Sequence, residues 1–199
     1  MKNMLSSVFL VSTLFGLVGC ASGQMALAPA EMEPFAAAAD RTPVRTNLSF
    51  QIHSSEDQRN MGAHQLGWSG ASPDNRRAVV TERTVAETLA ERFITELNRR
   101  GFQSRVGGEV AMGLSIQKFD LQSVPNGPFQ TPSCSAEVTV DLTRAGSKRS
   151  VKVKLNSSFT APAPLFKTQL ANAQTVASCM NLITEGLVKN TEFQQLLAQ

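Results

Sequence analysis

The hydrophobic pattern changes period several times along the chain, and each period predicts an element. Leu48, Phe50 and Ile52 alternate with Ser49 and Gln51, which is the period of a half-buried strand. From Ser54 to Arg77 the alternation is lost and Gly, Ser, Asn and Asp accumulate, so this stretch reads as one long connection of the kind that is functional or mobile. Thr84 to Arg100 then carries Ala86, Leu89, Ala90, Phe93 and Leu97 at helical spacing. Glu91, Arg92 and Glu96 fall largely outside that face. Thr84 and Glu87 fit a capping box, Arg99 and Arg100 suit the negative helix end, and Gly101 suits a left-handed stop.

Period two returns in three strands. Met112, Leu114 and Ile116 mark the first, which extends toward Leu121; Val138, Val140 and Leu142 mark the second; Val151, Val153 and Leu155 mark the third. Residues 143–149 read as a hairpin loop, and Thr139, Asp141, Lys152 and Lys154 as a solvated sheet face. A second helix is expected from Ala173 to Val188, striped by Val176, Met180, Ile183 and Leu187, and a short one near Glu192 to Leu197. The order β-α-β-β-β-α-α predicts an α+β fold: an antiparallel sheet of about four strands with two main helices packed on one face.

The first 19 residues break this pattern. Lys2 gives a positive start, and Leu5 to Val18 is an apolar run of signal-peptide length. It is too short to span a bilayer, which needs roughly 20 apolar residues. It ends in Leu17-Val18-Gly19-Cys20, which is similar to a lipobox: a small residue ahead of the scissile bond, then a thiol to take the lipid. The domain reading is therefore a signal peptide at 1–19, lipidated Cys20 with a flexible Ala/Pro/Met-rich tether over 20–46, and one periplasmic α+β domain at 47–199. As a coil, that tether would reach roughly 25 to 30 Å. Ala21, in place of Asp, favours the outer membrane with the domain facing the periplasm.

Composition removes several function classes. The net charge is +3 and the basic residues are dispersed, so no basic stripe supports nucleic-acid binding. Tyrosine is absent and Trp68 is the one tryptophan, which argues against an aromatic sugar platform. With Cys20 assigned to lipid, Cys134 and Cys179 form an even pair in an oxidising compartment, and a disulfide between them is expected. Neither has ligand-spaced His or Cys neighbours, so no metal and no cofactor is expected.

Candidate chemistry is sparse. Ser115 and Lys118 have the Ser-x-x-Lys spacing of penicillin-binding enzymes, but on an alternating strand they should face opposite ways, and no partner motif occurs. His53 and His64 lack convergent partners and read as surface residues. Gly107 and Gly108 read as a turn. The chain is therefore not expected to be an enzyme. The best binding candidates are Asp57, Gln58 and Arg59 after the first strand, and Trp68 among glycines, since Trp and Arg dominate interface hot spots.

The lipobox, Asp57-Gln58-Arg59 after the first strand, Leu97-Asn98-Arg99-Arg100-Gly101-Phe102 at the helix end and Asn190-Thr191-Glu192-Phe193 near the C terminus together resemble YajG-type bacterial lipoproteins. The resemblance extends over about residues 5–199. It implies an envelope lipoprotein with no established enzymatic activity and supplies no catalytic residue. Two departures stand out: a longer Gly67 to Asn75 segment, and the Cys134 and Cys179 pair. The expected function is a non-catalytic, membrane-anchored lipoprotein that binds another envelope component, such as an envelope protein. The alternative is an accessory of an assembly machine, either the lipopolysaccharide translocon or a peptidoglycan synthase, the latter disfavoured by the short tether.

Overall fold

A computed structural model of the chain describes residues 24–27, 33–35, 48–70, 76–146, 150–166 and 169–198. The signal segment and Cys20 lie outside the described residues. Among the described residues, nine strands and three helices follow the order β1(Gln24–Leu27), β2(Ser49–Asp57), β3(Gln65–Ser69), β4(Arg77–Thr81), α1(Val85–Arg99), β5(Gln103–Ser104), β6(Val110–Asn126), β7(Phe129–Arg144), β8(Ser150–Thr160), β9(Leu165–Phe166), α2(Gln169–Lys189) and α3(Thr191–Leu197).

The α+β class holds, but the sheet is larger than four strands and mixed rather than antiparallel. Its spine is the β6–β7 hairpin, extended by β8 on one side. Along the other edge of β6 two different strands dock in succession, both parallel to it. β2 pairs with Val110 to Ile116, and β3 with Leu121 to Ser123. Antiparallel β4 and then parallel β1 continue outward from β3. A parallel pair needs a crossover, and α1 lies on the crossover from β2 to β6.

Alternation along β6 changes phase midway. Met112, Leu114 and Ile116 point inward, but beyond a bulge at Gln117 the inward residues are Phe119, Leu121 and Ser123. The extra residue opposes no partner on β7, so the two halves of the strand carry opposite parity. The bulge also corrects the expected placement of Ser115 and Lys118. Both lie on the uncovered face, at separate registers, opposite Thr139 and Glu137 respectively.

The helices pack over the other face. Phe50, Phe93, Leu97, Met112, Val140, Met180, Ile183 and Phe193 are among the side chains they enclose with the sheet. Burying each such side chain is worth about 1.5–3 kcal/mol. The Thr84 capping box forms as expected: the Thr84 hydroxyl accepts from the Glu87 amide, and the Glu87 carboxylate accepts from the Thr84 amide. One expectation for α1 fails. Glu96 is fully buried, where Arg92 and Arg99 pair with it at 3.2 and 2.9 Å. The two guanidiniums compensate the carboxylate, which lets a charge occupy the inner side of the helix.

Two further segments differ from the sequence pattern. The Ser54 to Arg77 connection contains the end of β2 and the whole of β3, with β4 following. In the expected tether, Gln24–Leu27 is strand β1, with Leu27 in the core and Met25 against it. Glu33 reaches Arg99 and the Phe35 ring stacks on Phe159, so this part too lies on the domain. Alternating Met25 and Leu27 drive the docking, a two-residue signal that the Ala/Pro/Met composition hides.

Candidate functional site

Between the end of β2 at Asp57 and the start of β3, this edge of β6 has no strand partner among the described residues over Gln117 to Asp120. Arg59 fills that gap. Its guanidinium takes Asp57 in a fork, Nε to Oδ1 at 2.8 Å and Nη2 to Oδ2 at 2.7 Å. Its Nη1 also donates to the carbonyls of Gln65 at 2.7 Å and Phe119 at 3.0 Å. The arginine thus replaces the missing strand, supplying donors to backbone acceptors of β6 and of the chain entering β3. Its side chain is 2% exposed. Burial pulls the Asp57 carboxyl upward, but the hydrogen bonds and charge of Arg59 outweigh this and hold it below the usual carboxylate range.

An open cavity of about 710 Å³ lies over this junction. Trp68 forms one wall, with the Arg76 guanidinium 4.1 Å from the centre of its ring. Met61 and Gln65 border it on the β3 side, and Lys118, Asp120 and Gln122 on the β6 side. Gln122 donates to Asp120 at 3.0 Å. Ser135 and Ser158 lie in register with Asp120, and Ser133 and Thr160 with Gln122. A band of hydroxyls therefore continues from the groove across the uncovered face. The arrangement offers one aromatic surface, two cations, one carboxylate and several neutral donors and acceptors, which can hold a polar ligand.

The sequence-derived candidates divide clearly. Trp68 is half-buried and lines the groove. Arg59 borders it but directs its charge into the sheet, where it is spent on Asp57 and two carbonyls. Gln58 is exposed, and its amide accepts from Gln117 at 3.4 Å. His53 and His64 are exposed, and His64 contacts the Thr81 carbonyl at 3.2 Å through Nδ1. Among the described residues no group of His, Cys, Asp or Glu could hold a metal. Sequence reasoning missed Arg76, Asp120 and Gln122. Lys118, Asp120 and Gln122 share a face by simple alternation, but only the bulge turns that face to the uncovered side, and no local pattern announces it.

Cys134 on β7 and Cys179 on α2 are neighbours, both buried and both free thiols in the structure. Burial pushes the Cys134 thiol up, and its hydrogen bond to Cys179 adds to this. Cys179 is held lower by its hydrogen bond with Cys134 and by a contact with the Ser157 hydroxyl at 3.2 Å.

The molecule is thus an α+β domain on a single mixed sheet, helix-covered on one face and grooved on the other. Over residues 36–198 the chain matches the model of a family described as uncharacterized lipoprotein, Lipoprotein_16, and it belongs to that family. No curated protein matches it by sequence. Among solved structures it is similar to XCC0632 from Xanthomonas campestris, at 10% identity and a TM-score of 0.51, covering 83% of this chain and 92% of that one. It is also similar, at a TM-score of 0.42 and 10% identity, to the hypothetical protein CT253 from Chlamydia trachomatis, covering 77% of this chain and 94% of that one. At such identities the likeness to XCC0632 concerns the fold alone. Among the described residues no helix is long and apolar enough to cross a membrane.

Proposed function

We propose that this is a YajG-type lipoprotein anchored through Cys20 in the outer membrane, facing the periplasm, where it binds an envelope component without catalysis. Membership of a lipoprotein family and the Leu17-Val18-Gly19-Cys20 sequence support the anchor. The single observation that carries the binding reading is the groove beside Trp68, with its half-exposed aromatic wall and its rim of amides, hydroxyls and opposite charges. Such a concave site with a few convergent polar groups suits recognition. The envelope-machine reading gains no feature of its own, and docking of Gln24–Leu27 removes most of the reach that a synthase activator would need.

Site-specific photocrosslinking in cells tests this reading. A photoreactive residue at Gln122, in the groove, should give a defined adduct that Trp68→Ala weakens. The same residue at Lys152, on the uncovered face but remote in register, should not. Equal adduct patterns at Gln122 and Lys152 would refute the groove as the binding site.

A further inference from the structure

Five large hydrophobic side chains are exposed among the described residues: Val106, Val124, Phe129, Phe166 and Leu170. All but Val106 gather at one end of the molecule. Val124 and Phe129 flank the turn of the β6–β7 hairpin. β9 pairs there, placing Phe166 opposite Phe129 with ring centres 4.9 Å apart. Leu170 is in the first turn of α2, four positions on. Phe166 is 66% exposed, although a ring of that size costs free energy in water.

The sheet register brings the N terminus to the same end. Gln24 pairs with Ala78, Ala78 with Trp68, and Trp68 with Gln122, so Gln24 is level with Gln122. β1 runs opposite to β6, which means that the chain preceding Gln24 enters from the hairpin side. Cys20 precedes Gln24 by four positions, and Asn126, at the turn, follows Gln122 by four. Four residues span at most about 14 Å, so a lipid on Cys20 is held within that distance of the strand end. Charge agrees with this placement. Arg76 and Arg77 are exposed beside β3 at this end. No carboxylate occurs from Leu121 to Ser133 or from Ala161 to Phe166.

We infer that the end of the sheet formed by the β6–β7 turn, β9 and the start of α2 is a membrane-contacting tip. Phe129, Phe166, Val124 and Leu170 enter the headgroup boundary of the leaflet that holds the Cys20 lipid, with Arg76 and Arg77 against anionic headgroups. The inference rests on the anchored reading above. The lipid on Cys20 supplies the attachment, and a second contact of this kind fixes the orientation of the domain on the surface. The groove of Trp68, level with Gln122, would then open close to the lipid surface.

Depth-dependent quenching tests the tip. In a Trp68→Phe background, Phe166→Trp and Phe129→Trp each report from it and Val106→Trp from the far end. All three are exposed positions where a large ring needs no repacking, and circular dichroism checks the fold. The full chain is expressed in a lipoprotein-processing bacterium and purified in detergent. It is then placed in phosphatidylethanolamine and phosphatidylglycerol vesicles whose acyl chains carry bromine. The Phe166→Trp and Phe129→Trp emissions should shift to the blue and lose most of their intensity, and the Val106→Trp emission should do neither. Equal quenching at both ends overturns the inference. So does a blue shift without quenching, which would mean that a second copy or another protein covers the tip. Intact mass of the same samples reports Cys20 separately. An unacylated Cys20 overturns the anchored reading and the inference with it, whereas an acylated Cys20 beside an unquenched tip overturns the inference alone.

Discussion

Replacing Arg59 by methionine keeps the aliphatic stem and removes the guanidinium. Four hydrogen bonds within 3.0 Å are lost at a side chain that is 2% exposed. The Asp57 carboxylate, 15% exposed, is left without its counter-charge, and the carbonyls of Gln65 and Phe119 lose their donor. Breaking a buried ion pair from one side costs about 3–5 kcal/mol, and each orphaned carbonyl about 1–3 kcal/mol. These losses overlap, because the freed carbonyls relax together with the gap, so about 3–5 kcal/mol describes the whole. That is a large part of the roughly 5–15 kcal/mol by which domains of this kind are stable. Urea unfolding followed by circular dichroism should show the loss, with the melting temperature lower by about 8–15 °C. Arg59→Lys keeps the charge but cannot form the fork, and should fall between the variant and the native protein. A loss below about 1 kcal/mol for Arg59→Met would refute the reasoning. It would mean that water, not the arginine, completes the edge of β6.

Other substitutions test other parts of the fold. At Gly67, where β3 first meets β6, an added Cβ would lie 2.0 Å from the Leu121 carbonyl oxygen, so Gly67→Ala should detach β3 and shift Trp68 emission to the red. The Asp57 carboxyl is held below its ordinary 3.8, so its contribution is complete above that value and disappears as pH falls through the folded-state pKa. Asp57→Asn should therefore flatten the acid limb of a stability-versus-pH curve, and an unchanged limb would count against the ion pair. Mild oxidation should join Cys134 to Cys179, seen as protection from alkylation after unfolding, with a gain of about 4 kcal/mol that dithiothreitol reverses. Persistence of two titratable thiols after oxidation would exclude the bond. Thr84→Ala should cost about 1 kcal/mol in the same unfolding assay.

The helices and the strands with sustained alternation were legible, because each repeats its signal over several residues. The Thr84 capping box needs only local spacing, and it occurs where the sequence places it. β3 was hidden because it makes only three parallel pairs with β6 and contains Gly67, so it has neither length nor alternation. The upper half of β6, the turn and the start of β7 carry Pro125, Gly127, Pro128 and Pro132, so the whole stretch resembles a loop although the strands pair on either side of the turn. Arg59 was found for an incomplete reason. The sequence marked it as a contact residue, but its partners on β3 and β6 come from distant positions that no local pattern brings together. The sequence marked Trp68 as a contact candidate, and it lines the groove, whereas Asp120 and Gln122 became visible only with the sheet.

The bulge at Gln117 gives β6 two separate reading frames. β7 opposite it keeps one frame throughout, with Cys134, Ala136, Val138 and Val140 all inward. Removing the single residue Gln117 would therefore leave one unbroken alternation, because Lys118 would follow Ile116 directly. Lys118 and Asp120 would stay on the uncovered face and Phe119 and Leu121 beneath the helices, while the local kink and extra twist beside the groove would be lost. Many side chains should be acceptable at Gln117, and a relative could lack the residue altogether and keep both faces. Such a relative aligned without a gap there would have its groove and core residues interchanged along half of the longest strand.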